Sequence, residues 1–369
     1  MMEYTKTELH THLVGMLSAE EFVDFIKKCD IDSFLFDDKI LSPDDLLNDK
    51  YYQLIQIREK EKVSYPKMNL YYRNRTEIIK SIVNEYSKKN NISKNKCSLY
   101  IYNLLINESL RSLVKQNVEY VEISYSFYDR ISNFIIDDDI KDKIKCKFLL
   151  SAQRTTPAIS ADPNVNTFEK AAKNLAKILK GNNCVGFDIM GEETKLRDEE
   201  LDYQNKYDSF MVKLEILFDT LLKFDNTTLR IHSGETNQSF TNTITILKMI
   251  DLIANKKNIV IPPPEIRIGH GLYFDSSKEY VDLLKKFKCI IEINASSNLA
   301  LSNVESLESI PYNFYLSNNI PIAICTDGHG LYKTTIQRED KIARVILKDD
   351  EKYSEIIEDD KELLSKKGR

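Results

Sequence analysis

The sequence predicts an α/β fold, a (β/α)8 TIM-type barrel with a helical insertion after its first strand. Short apolar runs of strand length recur along the chain, and amphipathic stretches of helix length separate most of them. That alternation builds parallel βαβ units, and eight such strands close into a barrel. A third observation agrees: histidines and acidic residues collect at the C-terminal ends of the runs, the face where barrels of this kind carry their chemistry.

The predicted strands are Thr7–Leu13, Tyr120–Ser126, Cys146–Ser151, Cys184–Ile189, Thr228–His232, Ile266–Gly269, Cys289–Asn294 and Pro321–Thr326. Several, such as VEISYS, VGFDIM, IIEIN and PIAICT, have the near-continuous apolar composition of strands buried on both faces. The helices between them are read at Thr167–Lys180, Tyr207–Phe224, Thr241–Asn255, Ser276–Phe287 and Ser306–Ser317. A long gap separates the first two strands, and four helices are read inside it: Ser18–Asp30, Ser42–Glu61, Arg75–Asn90 and Lys94–Asn117. Ser18 with Glu21 forms a capping box, and Ser42-Pro43 is a cap followed by proline at the first helical position. No linker-like composition marks this block off. Residues 1–369 are therefore read as one unit, with the insertion at about 18–117. The tail after Gln337 is charged and helical, fraying into LLSKKGR.

Composition excludes several function classes. A formal charge of −5 and the lack of a long basic stripe argue against nucleic acid as a partner. There is no run long enough to span a membrane and no secretory leader, and the six cysteines include no C-x-x-C pair. Cys184, Cys289 and Cys325 sit in or beside apolar runs, as free thiols in a reducing compartment do. The expectation is a soluble, cytoplasmic protein; the oligomeric state stays open.

The stretch TELHTHLVG organises the site. In a strand, residues i and i+2 face one way, so His10 and His12 converge. His232 closes the fifth strand and Asp327 the eighth. Three imidazoles and a carboxylate suit Zn²⁺ with one position left for water; iron, cobalt or manganese fit the same donors. Glu235 follows His232 across Ser233-Gly234, a turn that brings its carboxyl back as a general acid and base. His270, between glycines in RIGHG, is placed to take a proton from the metal's water or to hold the resulting hydroxide. Gly191 ends the fourth strand, where its backbone N–H can approach a flat ligand closely.

The ordered segments ELHTHLVG, GFDIMGEE, HSGE, RIGHG, ASSN and CTDG, spanning residue 7 to about 335, resemble the adenosine deaminase family of metal-dependent amidohydrolases. The resemblance implies one zinc ion per chain, held by His10, His12, His232 and Asp327. It implies Glu235 protonating ring nitrogen N1, His270 assisting the attacking hydroxide, and Gly191 contacting a purine. The implied reaction is hydroxide attack at C6 of an aminopurine nucleoside or nucleotide-like substrate, with release of ammonia. Two positions depart from the family pattern. Val14 stands where an acidic or amide residue usually holds the ribose, and Gly328 stands where a second aspartate usually contacts N7. His329, next to Gly328, is therefore the expected replacement contact to the base. Because substrate discrimination often rests on a few buried hydrogen bonds, these departures leave other readings standing. One is hydrolysis of a modified adenine or a non-purine ring. Another is a catalytically silent relative that binds a nucleoside.

Overall fold

The structure, a computed structural model, describes residues 4–193, 195, 196, 201–259 and 264–367. Its strands are β1 (Thr7–His12), β2 (Phe34–Phe36), β3 (Lys39–Leu41), β4 (Tyr120–Tyr125), β5 (Lys145–Gln153), β6 (Cys184–Met190), β7 (Thr228–Ser233), β8 (Glu265–His270), β9 (Ile290–Ile293) and β10 (Ile322–Ile324). Eight of them form one parallel sheet in the order β1-β4-β5-β6-β7-β8-β9-β10. The last edge meets the first through a parallel bridge between Thr11 and Asp327, and Asp327 N–H donates to His10 O at 2.8 Å. The sheet is thereby the predicted TIM-type barrel, each predicted strand lying within a few residues of its expected bounds.

The outer faces of the strands pack against the surrounding helices in one large apolar core, to which Phe148, Phe187, Leu229, Ile231 and Ile268 contribute. Inside, charge replaces hydrocarbon. Arg230, Arg267, Glu122, Asp188 and Glu292 are all fully buried and pair with one another: Arg267 with Glu122 at 2.9 Å and Glu292 at 3.2 Å, Arg230 with Asp188 at 2.9 Å. Buried charges persist only when paired and hydrogen-bonded, and this chain of ions runs up the barrel interior to the histidines at its top.

The segment between β1 and β4 differs in detail from the sequence expectation. The capping box of Ser18 and Glu21 opens helix Ala19–Lys28 as expected. The Ser42–Glu61 helix is instead a short 3-10 turn, Pro43–Leu47, followed by helix Asp49–Ile55 and extended chain. Arg75 does not begin a helix: it lies within Tyr65–Asn90, which starts almost three turns earlier with proline in its first turn. β2 and β3 form an unexpected antiparallel hairpin. Ser306–Ser317 resolves into Leu307–Ser309 and Tyr312–Ser317.

The tail does not fray at LLSKK. Helix Asp350–Lys367 carries Leu363 into a buried cluster with Leu9, Tyr120 and Cys325, and Lys367 Nζ reaches Glu265 Oε1 at 3.1 Å at the lower end of the barrel. The last two residues of that stretch, 368 and 369, lie outside the described residues. All six cysteines are buried and free. No described helix is long and apolar enough to cross a membrane.

Candidate active site

Strand ends position the site. His10 and His12 emerge from β1, His232 from β7 and His270 from β8, and their rings form one cluster. His10 lies 5.5 Å from His12, 4.6 Å from His232 and 5.1 Å from His270, centroid to centroid. Gly269 makes room for this packing, since a Cβ there would stand 2.7 Å from His10 Cε1. Asp327 follows β10, with Oδ1 3.4 Å from His12 Nε2 and 3.8 Å from His10 Nε2. Two of these residues hold backbone conformations uncommon for side-chain-bearing residues: His270 has φ 71° and Asp327 φ 63°. Each costs about 1–3 kcal/mol and persists only where surrounding structure fixes it, which is common at functional sites.

The donor atoms are aimed and left free. His10 Nδ1 lies 2.9 Å from Glu292 Oε2. With Nδ1–H donating to that carboxylate, Nε2 keeps its lone pair, the arrangement typical of metal-ligating histidine. His10 Nε2, His232 Nε2 and Asp188 Oδ1 are buried with no hydrogen-bond partner, although unpaired buried polar atoms are costly. His10, His12 and Asp327 bring ligand atoms within 4.8 Å of one another, as do His10, His232 and His270, and His12, Asp188 and His232. A group of convergent, unsatisfied nitrogens and carboxylate oxygens fits a divalent ion of the borderline N/O type. Burial first, and the neighbouring Arg230 second, hold His10 well below the usual imidazole range. Burial likewise pulls His12 down to about 4. Both rings are neutral at pH 7, the form that binds metal.

The two expected proton-handling groups face each other. His270 Nε2 lies 3.8 Å from Glu235 Oε1, and His270 Nδ1 contacts Asn298 Oδ1 at 2.9 Å. Burial opposes charging of His270, but the carboxylates of Glu235 and Asp327 and the Asn298 amide outweigh it, and its pKa is raised. Glu235 Oε1 accepts from Asn303 Nδ2 at 3.2 Å.

The turn that carries Glu235 is held by Glu193. Its two oxygens accept from Gly234 N at 3.0 Å, Glu235 N at 2.9 Å, Ser239 Oγ at 2.5 Å, Asn242 Nδ2 at 3.0 Å and Ser233 Oγ at 3.2 Å. Arg154 braces the same region, donating to Gly191 O at 3.2 Å and to His232 O.

Above the histidines opens a pocket of about 230 Å³. His12, His232, Glu235, His270 and Asp327 line its deep end, Val14, Gly191 and Gln153 its walls, and Tyr65, Met68 and Tyr72 of helix Tyr65–Asn90 cover it. Gly191 has φ 100°, a backbone conformation that favours glycine, and a Cβ there would displace the Gln153 amide, whose Oε1 would lie 2.0 Å away.

His329 is not brought to this pocket. Gly328, at φ 144°, turns the chain away, and His329 is buried with Nε2 3.1 Å from Ser112 Oγ, which donates to Glu21 at 2.7 Å. The expected contact from His329 to a base is corrected accordingly: the ring ties the loop after β10 to helix Lys94–Lys115. Asp188, Glu193 and Asn298 were not singled out from the sequence, although they stand inside GFDIMGEE and ASSN. Glu292, Arg154, Tyr72 and Tyr332 carry no local sequence signal, and only the fold brings them here.

Comparison with known proteins agrees with this geometry. The family model for adenosine deaminase matches residues 5–357. The adenosine deaminase of Plasmodium gallinaceum is 26% identical over 340 residues, covering 90% of this chain and 79% of the relative. Among solved structures, the N6-methyl-AMP deaminase of Arabidopsis thaliana superposes with a TM-score of 0.61 at 16% identity, covering 96% of this chain and 90% of that one. An amidohydrolase from Burkholderia ambifaria, solved with bound Zn, gives a TM-score of 0.55 at 12% identity, covering 97% and 84%. The chain thus belongs to the adenosine deaminase family of hydrolases acting on C–N bonds.

Proposed function

We propose that this protein is a zinc-dependent hydrolytic deaminase of an aminopurine nucleoside or nucleotide. The observation that carries the reading is that unsatisfied, buried His10 Nε2 lies beside Asp327, with the His232 ring and its unsatisfied Nε2 packed against it, next to the Glu235–His270 pair. His10, His12, His232 and Asp327 would hold the ion. A bound Zn²⁺ would supply a water made acidic enough to ionise near neutral pH. The zinc bound to the Burkholderia amidohydrolase, which shares the fold, favours that ion.

The remaining steps belong to the chain. Glu292 fixes the His10 tautomer, and Ser297 Oγ, donating to Asp327 Oδ2 at 2.5 Å, fixes the carboxylate. Gly191 lets a flat ring lie close to the backbone. Glu235, held by Asn303 and by its own turn, gives a proton to the ring nitrogen beside the amino-bearing carbon, so that carbon becomes open to attack by water. His270, oriented by Asn298, takes up the proton that the attacking water loses or balances the charge that develops there. Water adds, the C–N bond breaks, and the amine leaves as ammonia. Glu235 and His270 would be superfluous in a protein that only binds nucleosides. The segment between β1 and β4 acts as part of the same unit, because Tyr65, Met68 and Tyr72 roof the pocket.

Within this reading, the N6-methyl-AMP deaminase fold neighbour favours including nucleotides and N6-alkylated adenines among the substrates tried. The test is a panel of adenosine, AMP and their N6-methyl forms, scored for release of ammonia or methylamine. Turnover of one of these supports the proposal. Tight binding without release from any of them would refute it in favour of a silent binder.

A further inference from the structure

Two buried cations stand beside the pocket with no carboxylate to pair with. Arg154 directly follows β5 and is 5% exposed. Lys213, on helix Leu201–Leu221, is buried to the same extent. Among the described residues neither has an acidic partner, and their contacts are carbonyls and a ring. Arg154 Nε donates to Gly191 O at 3.2 Å and Nη2 to His232 O, while Nη1 is buried with no partner. The Arg154 backbone N–H donates to Met190 O at 2.7 Å. Lys213 Nζ donates to Arg154 O and stands 5.2 Å from the centroid of the Phe168 ring.

Stability alone does not account for this arrangement. Buried charge without an opposite charge is unfavourable, and apolar side chains of similar size in place of buried ions are often as stable or more so. Burial first, and Arg154 second, push Lys213 down to about 8, so at neutral pH the fold carries a cation that it disfavours. Positions where a chain breaks the rules of packing are commonly functional ones. What the two cations hold is the spacing of three strand ends. Met190 O and Gly191 O bracket the glycine beside which a flat ring would lie, and His232 is a candidate metal ligand. Arg154 ties both to the end of β5, and Lys213 holds the Arg154 main chain in turn.

We propose, resting on the deaminase reading above, that Arg154, propped by Lys213, is a positioning residue: its fork fixes the turn at Gly191 to His232 and so sets where the reacting carbon stands relative to the metal site. A lysine presents a point charge and cannot span both carbonyls as a planar guanidinium does. The test measures kcat, KM, zinc content, and the thermal midpoint with and without zinc, for wild type, Arg154→Lys and Lys213→Met. Arg154→Lys keeps the charge, yet should lower kcat by roughly 10- to 100-fold with KM within about threefold and zinc content unchanged, because a misplacement of about 1 Å suffices for such a loss. Lys213→Met should lower kcat by roughly three- to tenfold while the midpoint is unchanged or higher. A merely structural role predicts the reverse for Lys213→Met, a lower midpoint with kcat intact. That result, a wild-type kcat in Arg154→Lys, or zinc loss in proportion to kcat overturns the assignment and leaves the deaminase reading standing. If Arg154→Lys does not fold, Lys213→Met decides alone. Absence of turnover by wild type overturns both.

Discussion

Glu193 offers a sharp test of how the site is assembled, because it touches no reacting atom yet holds the turn that presents Glu235. Glu193→Gln keeps the shape and removes the charge. A hydrogen bond to a charged group contributes about 1.5–3 kcal/mol and a neutral one about 0.5–1.5, so weakening the bonds from Gly234 N and Glu235 N costs about 1 kcal/mol each. The glutamine amide also turns an NH₂ toward donors. One of the two backbone N–H groups then faces another donor, at a further cost of about 1–2 kcal/mol. The sum, about 3–4 kcal/mol, can be relieved only by movement of the turn and therefore of Glu235. Expressed as lost transition-state stabilisation, it is roughly 150- to 1000-fold in kcat. The assay is steady-state ammonia release with metal content measured on the same sample. A variant with full metal and a loss in this range supports the account. A kcat within about threefold of wild type would show that the turn holds without Glu193.

The other predictions concern the acid, the Gly328 turn and the buried carboxyl of Asp340. Glu235→Gln should lower turnover by about 10²–10⁴-fold while metal analysis shows an unchanged ion content; near-normal rates would remove Glu235 from proton transfer. Gly328→Ala forces a side chain into φ 144° against Gly15 O and should cost about 1–3 kcal/mol, read as a lowered thermal midpoint, whereas an unchanged midpoint would mean that the two loops separate easily. Burial, against hydrogen bonds from Thr5 and Tyr353, lifts Asp340 from 3.8 to about 6. The folded state thus holds a proton there that the unfolded chain loses between about pH 4 and 6, and this contribution to stability is full below that window and lost as pH rises through it. Asp340→Asn cannot titrate and should flatten the decline in stability across the window, measured by denaturant unfolding at several pH values. Identical slopes would place the dependence on other groups.

The barrel was legible in the sequence because its strands are buried on both faces and read as uninterrupted apolar runs. The site's histidines and Asp327 were legible because strand C-termini converge, so position along a strand stands in for position in space. The β2–β3 hairpin was not, since its strands are three residues long and its turn uses Asp37 and Asp38 at φ 52° and 55° in place of the usual glycine. His329 was misplaced for a similar reason: its assignment followed chain proximity to Asp327, while the backbone at Gly328 sends the ring the other way. Arg230, Arg267, Glu122 and Glu292 are visible as charges within strands, but only the closed barrel shows that they pair with one another. The roof of the pocket comes from a helix far from every motif, so Tyr72 could not be read in advance.

The central claim, that the histidines and Asp327 form one metal centre on which deamination depends, is tested most directly by titrating zinc into chelator-treated protein while following ammonia release. The account predicts that activity is lost with the metal and returns linearly until about one equivalent per chain is bound, and that His232→Ala neither retains zinc nor recovers. Full activity in metal-free protein, or recovery by His232→Ala equal to wild type, would contradict it.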